Sequence, residues 1–314
     1  RKLLRRFSEP LFINSKRTDN DLSAAINKSL PKHQSPHLLI KSLCIPQGFC
    51  YFPQTFCLML AVLSGCSKRL PTLTVTFFDV GKGDCILLEC DGHAAMIDAG
   101  FDNTANNILS ALADKGIDTL DFLLLTHMDK DHVGGADKFL ENLTIGAVYA
   151  PDYEKDAKQY QQYVDALAAS GMTAIHPAEP LTLSFAQAQI TLLPPQQAAY
   201  EQSNDYSILA ELVYGQTRFL FAGDAESVRL QEYLSGTPHT ADVLKVPHHG
   251  RWDALSDDFF KAVMPRYAVI TCDSDNMPDQ QVLDALKALG AEVHGTVYGD
   301  VIFISDGATV QPAS

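Results

Sequence analysis

Several things this chain lacks narrow its class. It has no apolar run long enough to cross a bilayer as a helix. No internal repeat or heptad pattern recurs, which excludes solenoids and coiled coils. Basic residues are scarce over most of it. Residues 71–314 carry thirteen Lys and Arg against thirty-five Asp and Glu, a balance of −22. A groove for long duplex nucleic acid normally shows a surplus of basic side chains, so that surface is not expected here. Cysteine is equally sparse in this part. Cys85, Cys90 and Cys272 are an odd number without metal-type pairing, and they read as buried free thiols rather than a disulfide framework.

The first seventy residues have a different chemistry, with eleven Lys and Arg against three Asp and Glu. Prolines at 10, 31, 36, 46 and 53 interrupt them, and no periodicity is sustained. They end in the apolar stretch Phe56–Cys66, too short for a bilayer span but suited to the core of a signal peptide. Leu63-Ser64-Gly65-Cys66 resembles a bacterial lipobox, with small residues for the peptidase and the Cys66 thiol as the lipidation site. The expectation is a leader over 1–66 that is absent from the mature protein, a linker over 67–71, and one folded domain over 72–314. Such a protein would be extracytoplasmic and held to a membrane through a lipid anchor alone.

The body reads as strand-rich halves with helices between them. Strands are expected at Thr72–Phe78, Ile86–Glu89, Ala94–Ile97, 122–126 and 145–150, with helices over 103–115, 134–142 and about 155–169. The second half offers strands at 188–193, Tyr206–Val213, Thr217–Phe221, Val243–Val246 and 267–271, with helices at 255–263 and 279–289. This alternation predicts an α+β fold, an αββα sandwich of two packed sheets. The densest chemistry follows the apolar run Leu123-Leu124-Leu125. There Thr126-His127-Met128-Asp129-Lys130-Asp131-His132-Val133-Gly134-Gly135 puts four potential metal ligands into six residues. Polar residues recur at later strand ends, namely Asn204, Asp224 after Phe219–Ala222, and His248-His249 after Val243–Val246. Three such clusters facing one edge predict a site for divalent metal, with Asp224 placed to bridge two cations.

The motif His-Met-Asp-Lys-Asp-His-Val-Gly-Gly resembles the signature of metallo-β-lactamase-fold hydrolases. The ordered set Asp79-Val80-Gly81-Lys82-Gly83-Asp84, Asn204-Asp205-Tyr206-Ser207, Gly223-Asp224-Ala225 and Leu244-Lys245-Val246-Pro247-His248-His249-Gly250 is similar to the hydrolase domain of ComEC-type competence proteins. The resemblance covers essentially all of 71–314. It implies two divalent ions, zinc or manganese. His127 and Asp129 would hold one ion, and Asp131 and His132 the other. Asp224 would bridge them, and one of the pair His248/His249 would complete the second site, with His248 favoured. Asp131, His132 and Asp224 would carry the catalysis, and Asn204, His249 and Arg251 would face substrate. The chain departs from the family at Asp129, where a histidine is usual, and lacks a histidine near 204. Arg251 replaces a serine, and Met277 stands where relatives often have histidine. Lys82 is read as a turn lysine. Asp79, Asp84 and Asp98 are read either as turn and cap carboxylates or as supports beneath the site.

The expected activity is hydrolysis of a phosphodiester by metal-activated hydroxide. The acidic body favours a small or short substrate, with single-stranded nucleic acid as the candidate polymer. The alternatives are a lactam- or thioester-type hydrolase of the same fold and a non-catalytic binding module in DNA uptake.

Overall fold

A computed structural model describes residues 70–313. The expected leader, its lipidation residue Cys66 and the linker up to residue 69 lie outside the described residues.

Alternation along the strands builds three apolar layers. In β1 (Leu73–Phe77), Leu73, Val75 and Phe77 point to one side, and in β2 (Ile86–Cys90) so do Ile86, Leu88 and Cys90. They meet Phe219 and Phe221 of β12 (Thr217–Phe221) and Ala210, Leu212 and Tyr214 of β11 (Leu209–Tyr214), so the core lies between two sheets. The opposite faces are covered by helices. Met96 of β3 (His93–Ile97) and Leu123 of β5 (Leu123–Leu124) pack with residues of α1 (Ala105–Asp114), α2 (Ala136–Asn142) and α3 (Lys158–Ala169). Leu220, Leu244 and Ala268 pack with α4 (Ser227–Ser235), α5 (Ser256–Val263) and α6 (Gln280–Ala288) on the other sheet. This is the expected αββα sandwich. Cys85, Cys90 and Cys272 are buried and free, as read from the sequence.

The remaining strands are β4 (Thr119–Leu120), β6 (Thr144–Ile145), β7 (Val148–Tyr149), β8 (Ala174–Ile175), β9 (Leu181–Phe185), β10 (Ala188–Leu193), β13 (Val243–Lys245), β14 (Tyr267–Ile270), β15 (Glu292–Gly295), β16 (Val301–Ser305) and β17 (Val310–Pro312). One sheet runs β17-β16-β1-β2-β3-β5-β7-β8 and the other β15-β14-β13-β12-β11-β10-β9, while β4 and β6 form a separate pair. The sheets are mixed in a way that matters for the site. β3, β5 and β7 run parallel in the first sheet, and β12, β13 and β14 in the second. Crevices at the carboxyl ends of parallel strands are where open α/β sheets place their ligands. Here β3 ends at Asp98, β5 at the His127–His132 loop, β12 at Asp224, β13 at His248-His249 and β14 at Thr271. The segment Ser203–Tyr206, expected in part as strand, is instead a 3₁₀ turn whose far end joins the sheets, Ile208 N–H donating to Thr126 O at 2.9 Å.

Candidate metal centre

The loop after β5 turns back on itself because glycine allows it. A Cβ at Gly134 would meet Lys130 O at 2.2 Å and Asp102 N at 2.7 Å, so no side chain fits there. The turn is fastened to its surroundings by Asp84 N–H to Asp131 O, 3.1 Å, and Ala99 N–H to His132 O, 2.7 Å.

Asp131, His132, Asp224 and His249 present ligand atoms that all lie within 4.8 Å of one another, and all four residues are buried. His132 Nε2 is 3.3 Å from Asp224 Oδ1, and His249 Nε2 is 3.0 Å from Asp224 Oδ2 and 3.7 Å from Asp131 Oδ2. A tetrahedral ion at about 2.1 Å from its donors keeps neighbouring donors about 3.4 Å apart, so these spacings suit one cation. The ring nitrogens are prepared for it. The Nε2 atoms of His127, His132 and His249 are buried without a hydrogen-bond partner. Their Nδ1 atoms are engaged: His132 with Asp98 Oδ2 at 2.8 Å, His249 with Thr271 Oγ1 at 2.9 Å, and His127 with Thr126 Oγ1 at 3.2 Å. Fixing one ring nitrogen by a carboxylate or hydroxyl orients the other as a lone-pair donor.

The charge balance points the same way. Burial alone would depress His132, but Asp224, Asp98 and Asp84 overcome it and hold its ring well above the usual range. Burial would raise Asp224, yet His249, His132 and Lys245 hold it well below the ordinary carboxylate range. Both shifts come from opposite charges packed together, and a cation there would supply positive charge of the same kind. His127, by contrast, is pushed down to about 3, chiefly by burial and then by His132, and is neutral as a ligand must be.

Beneath these side chains lies an ion-pair network that motif reading leaves open or misses. Lys245 is fully buried, with Nζ 2.5 Å from Asp84 Oδ2, 3.4 Å from Asp224 Oδ1 and donating to Gly223 O at 2.8 Å. Burial would lower this lysine, but Asp84 and Asp224 keep it charged, raised above its ordinary value. Thr271 Oγ1 donates to Asp84 Oδ1 at 2.6 Å, linking the His249 ring to the same carboxylate. Asp98 takes Thr126 N–H and Oγ1–H at 2.7 Å each, besides His132. Asp84 and Asp98 therefore act as supports beneath the site, not as turn carboxylates alone. Lys245 stands in the Leu244–Gly250 segment that carries the resemblance, and its position in an apolar strand is the physical signal that it must find buried carboxylates.

The histidine pair divides opposite to the expectation. His248 and His249 both have left-handed backbones, φ 47° and 52°. That double reversal sends His249 inward to Asp131 and Asp224, while His248 turns out, its Nδ1 3.1 Å from Glu226 Oε1 and its Nε2 3.4 Å from Asn204 Nδ2. The structure thus brings His249, and not the favoured His248, into the group with Asp131, His132 and Asp224, and leaves His248 beside Glu226 and Asn204. Asn204 lies on the rim, donating to Glu226 Oε1 at 2.8 Å. Arg251 is exposed and paired with Asp279 Oδ1 at 3.4 Å. His127 and Asp129 stand beside each other, Nε2 to Oδ1 3.8 Å, but no third His, Cys, Asp or Glu completes a group with them among the described residues. Lys155, unnoticed in the sequence, pairs with Asp129, and Lys82 with Asp131 Oδ2 at 3.2 Å.

Comparison with known proteins bears on the family and the fold. The chain is 25% identical over 250 residues to ComE operon protein 3 of Bacillus subtilis, covering 71% of this chain and 32% of that one. It is also 25% identical over 254 residues to recombination protein 2 of Haemophilus influenzae (77% and 30%), and over 272 residues to competence protein ComA of Neisseria gonorrhoeae (82% and 37%). It thus spans about a third of the length of the curated relatives it matches. In structure it is similar to the metallo-beta-lactamase fold protein YhfI of Bacillus subtilis, with TM-score 0.51 and 14% identity over 75% of this chain and all of that one. The resemblance to competence proteins read from the motifs is borne out. With residues 78–273 matching the family throughout the two halves of the strand-end cluster, the chain belongs to the metallo-beta-lactamase superfamily.

Proposed function

We propose that this chain is a metal-dependent phosphodiesterase acting on small or short phosphodiesters, short single-stranded nucleic acid included. The observation that carries the metal dependence is the set of oriented, buried Nε2 atoms of His132 and His249 converging on Asp131 and Asp224. A divalent cation there supplies Lewis-acid stabilisation and lowers the pKa of water to near neutrality.

The chain's own residues contribute the rest. Asp98 and Thr271 hold the two rings, and Lys245 and Asp84 hold Asp224 and Thr271 in register. Lys82 and Lys155, each about a quarter exposed, put positive charge on the rim, where an anionic phosphoryl group would be drawn in. Asn204 and His248 offer further polar contacts at the rim. Support for the phosphodiester comes from these rim cations and from relatives named as competence and recombination proteins. The balance of −22 over residues 71–314 favours short substrates over long duplexes.

The test is hydrolysis of bis(p-nitrophenyl) phosphate after chelation and readdition of Mn²⁺ or Zn²⁺, with Asp131→Ala alongside. Turnover is expected to return with metal and to be absent from the variant. Turnover of lactams or thioesters in place of the phosphodiester would replace the substrate class, and no bound metal at all would remove the reading.

A further inference from the structure

The loop after β5 serves two groups of donors, and they are not equally complete. Asp131 and His132 join Asp224 and His249 to make four. On the other side His127 and Asp129 lie 3.8 Å apart, and among the described residues no third His, Cys, Asp or Glu forms a group with them. Beside them, Lys155 Nζ pairs with Asp129 Oδ1 and donates to Ser203 Oγ at 3.3 Å. Lys155 is not a loose surface chain. Tyr153, two residues before it, stacks on Tyr206 with ring centroids 3.9 Å apart and planes at 17°. Tyr206 belongs to the same 3₁₀ turn as Ser203, so both ends of the contact are fixed to one element. Lys82 differs, since it touches an oxygen of a donor group that already has four members.

A dication and an ammonium competing for one carboxylate repel each other, and the ammonium is covalently tethered here. We infer that this centre holds a single divalent cation, in Asp131, His132, Asp224 and His249, and that the Lys155 ammonium is a fixed positive charge standing where a second cation would bind to His127 and Asp129. The inference rests on the proposed metal-binding reading. It departs from the two-ion arrangement that the family resemblance implies, and makes Lys155 part of the anion-facing charge of the site.

The test is metal stoichiometry. The full chain is stripped, dialysed against rising Mn²⁺ alone, and bound manganese is measured by elemental analysis. The wild type is expected to saturate at one equivalent per chain. Lys155→Gln and Lys155→Ala, which remove the charge from a partly exposed position, are expected to take up a second equivalent, and Lys155→Arg to remain at one. Two equivalents in the wild type, or one in both neutral variants, would overturn the inference while leaving a metal-dependent hydrolase intact. No bound manganese in any form, and no bound zinc when the stripped chain is dialysed against Zn²⁺ in a parallel series, would instead overturn the metal-binding reading itself.

Discussion

On one side of the loop that follows β5, Asp131 and His132 face Asp224 and His249, and every ring is braced from behind by Asp98 or Thr271. On the other side His127 and Asp129 face Lys155, with no comparable completion. Both sides come from one stretch of six residues. What separates them is what other strands deliver: β12 and β13 bring two donors to the first side, whereas the segment before α3 brings a lysine to the second. A metal motif is thus only half of a site, and its completion is decided by residues a hundred positions away.

Substitutions that treat the two sides alike would break this comparison. The largest effect is expected at the closed side. Asp224→Ala and His249→Ala should each lose the metal and about 10³-fold in kcat/KM, about 4 kcal/mol of transition-state stabilisation. His248→Ala should keep the metal and stay within about tenfold, because its ring turns to Glu226. Metal content beside kcat/KM for the three variants checks this. Equal losses at 248 and 249 would show the pair misassigned.

Next comes the foundation. Lys245→Met leaves Asp84 and Asp224 buried without their ammonium, and unpairing buried charge costs about 3–5 kcal/mol. Urea denaturation should show that loss even in metal-free protein, which separates it from a ligand effect. The smallest effect belongs to the brace. Asp98→Asn keeps the volume but removes the charge behind His132, and loss of such a partner weakens metal binding about 10–100-fold. Competition with a chromogenic chelator measures it. The same change near Lys155, such as Ser203→Ala, should leave that affinity unaltered if the two sides are independent.

Much of this was legible in the sequence. Alternating apolar runs gave the sandwich, because period-two patterning and burial are the same statement. Polar residues clustered after Leu125, Ala222 and Val246 because parallel strands end at one edge, and that edge emerged without any contact being known. The division of His248 from His249 was not legible. Adjacent identical residues carry no periodic signal, and two successive left-handed backbones, sparsely populated for non-glycine residues, decide which ring turns inward. The role of Lys245, and Lys155 altogether, escaped for a related reason. Each is explained only by a carboxylate distant in sequence, Asp84 for one and Asp129 for the other.

The two-and-two origin of the closed group has a mechanical meaning. Asp131 and His132 belong to the layer of β5, and Asp224 and His249 to the layer of β12 and β13. An ion seated among them would work as a rivet across the seam of the sandwich, linking its release to the parting of the layers. By mass action a ligand present at a hundred times its dissociation constant adds about 2.7 kcal/mol to the folded state. Removal of a bound ion would then lower the stability of the contact between the two layers by that same amount.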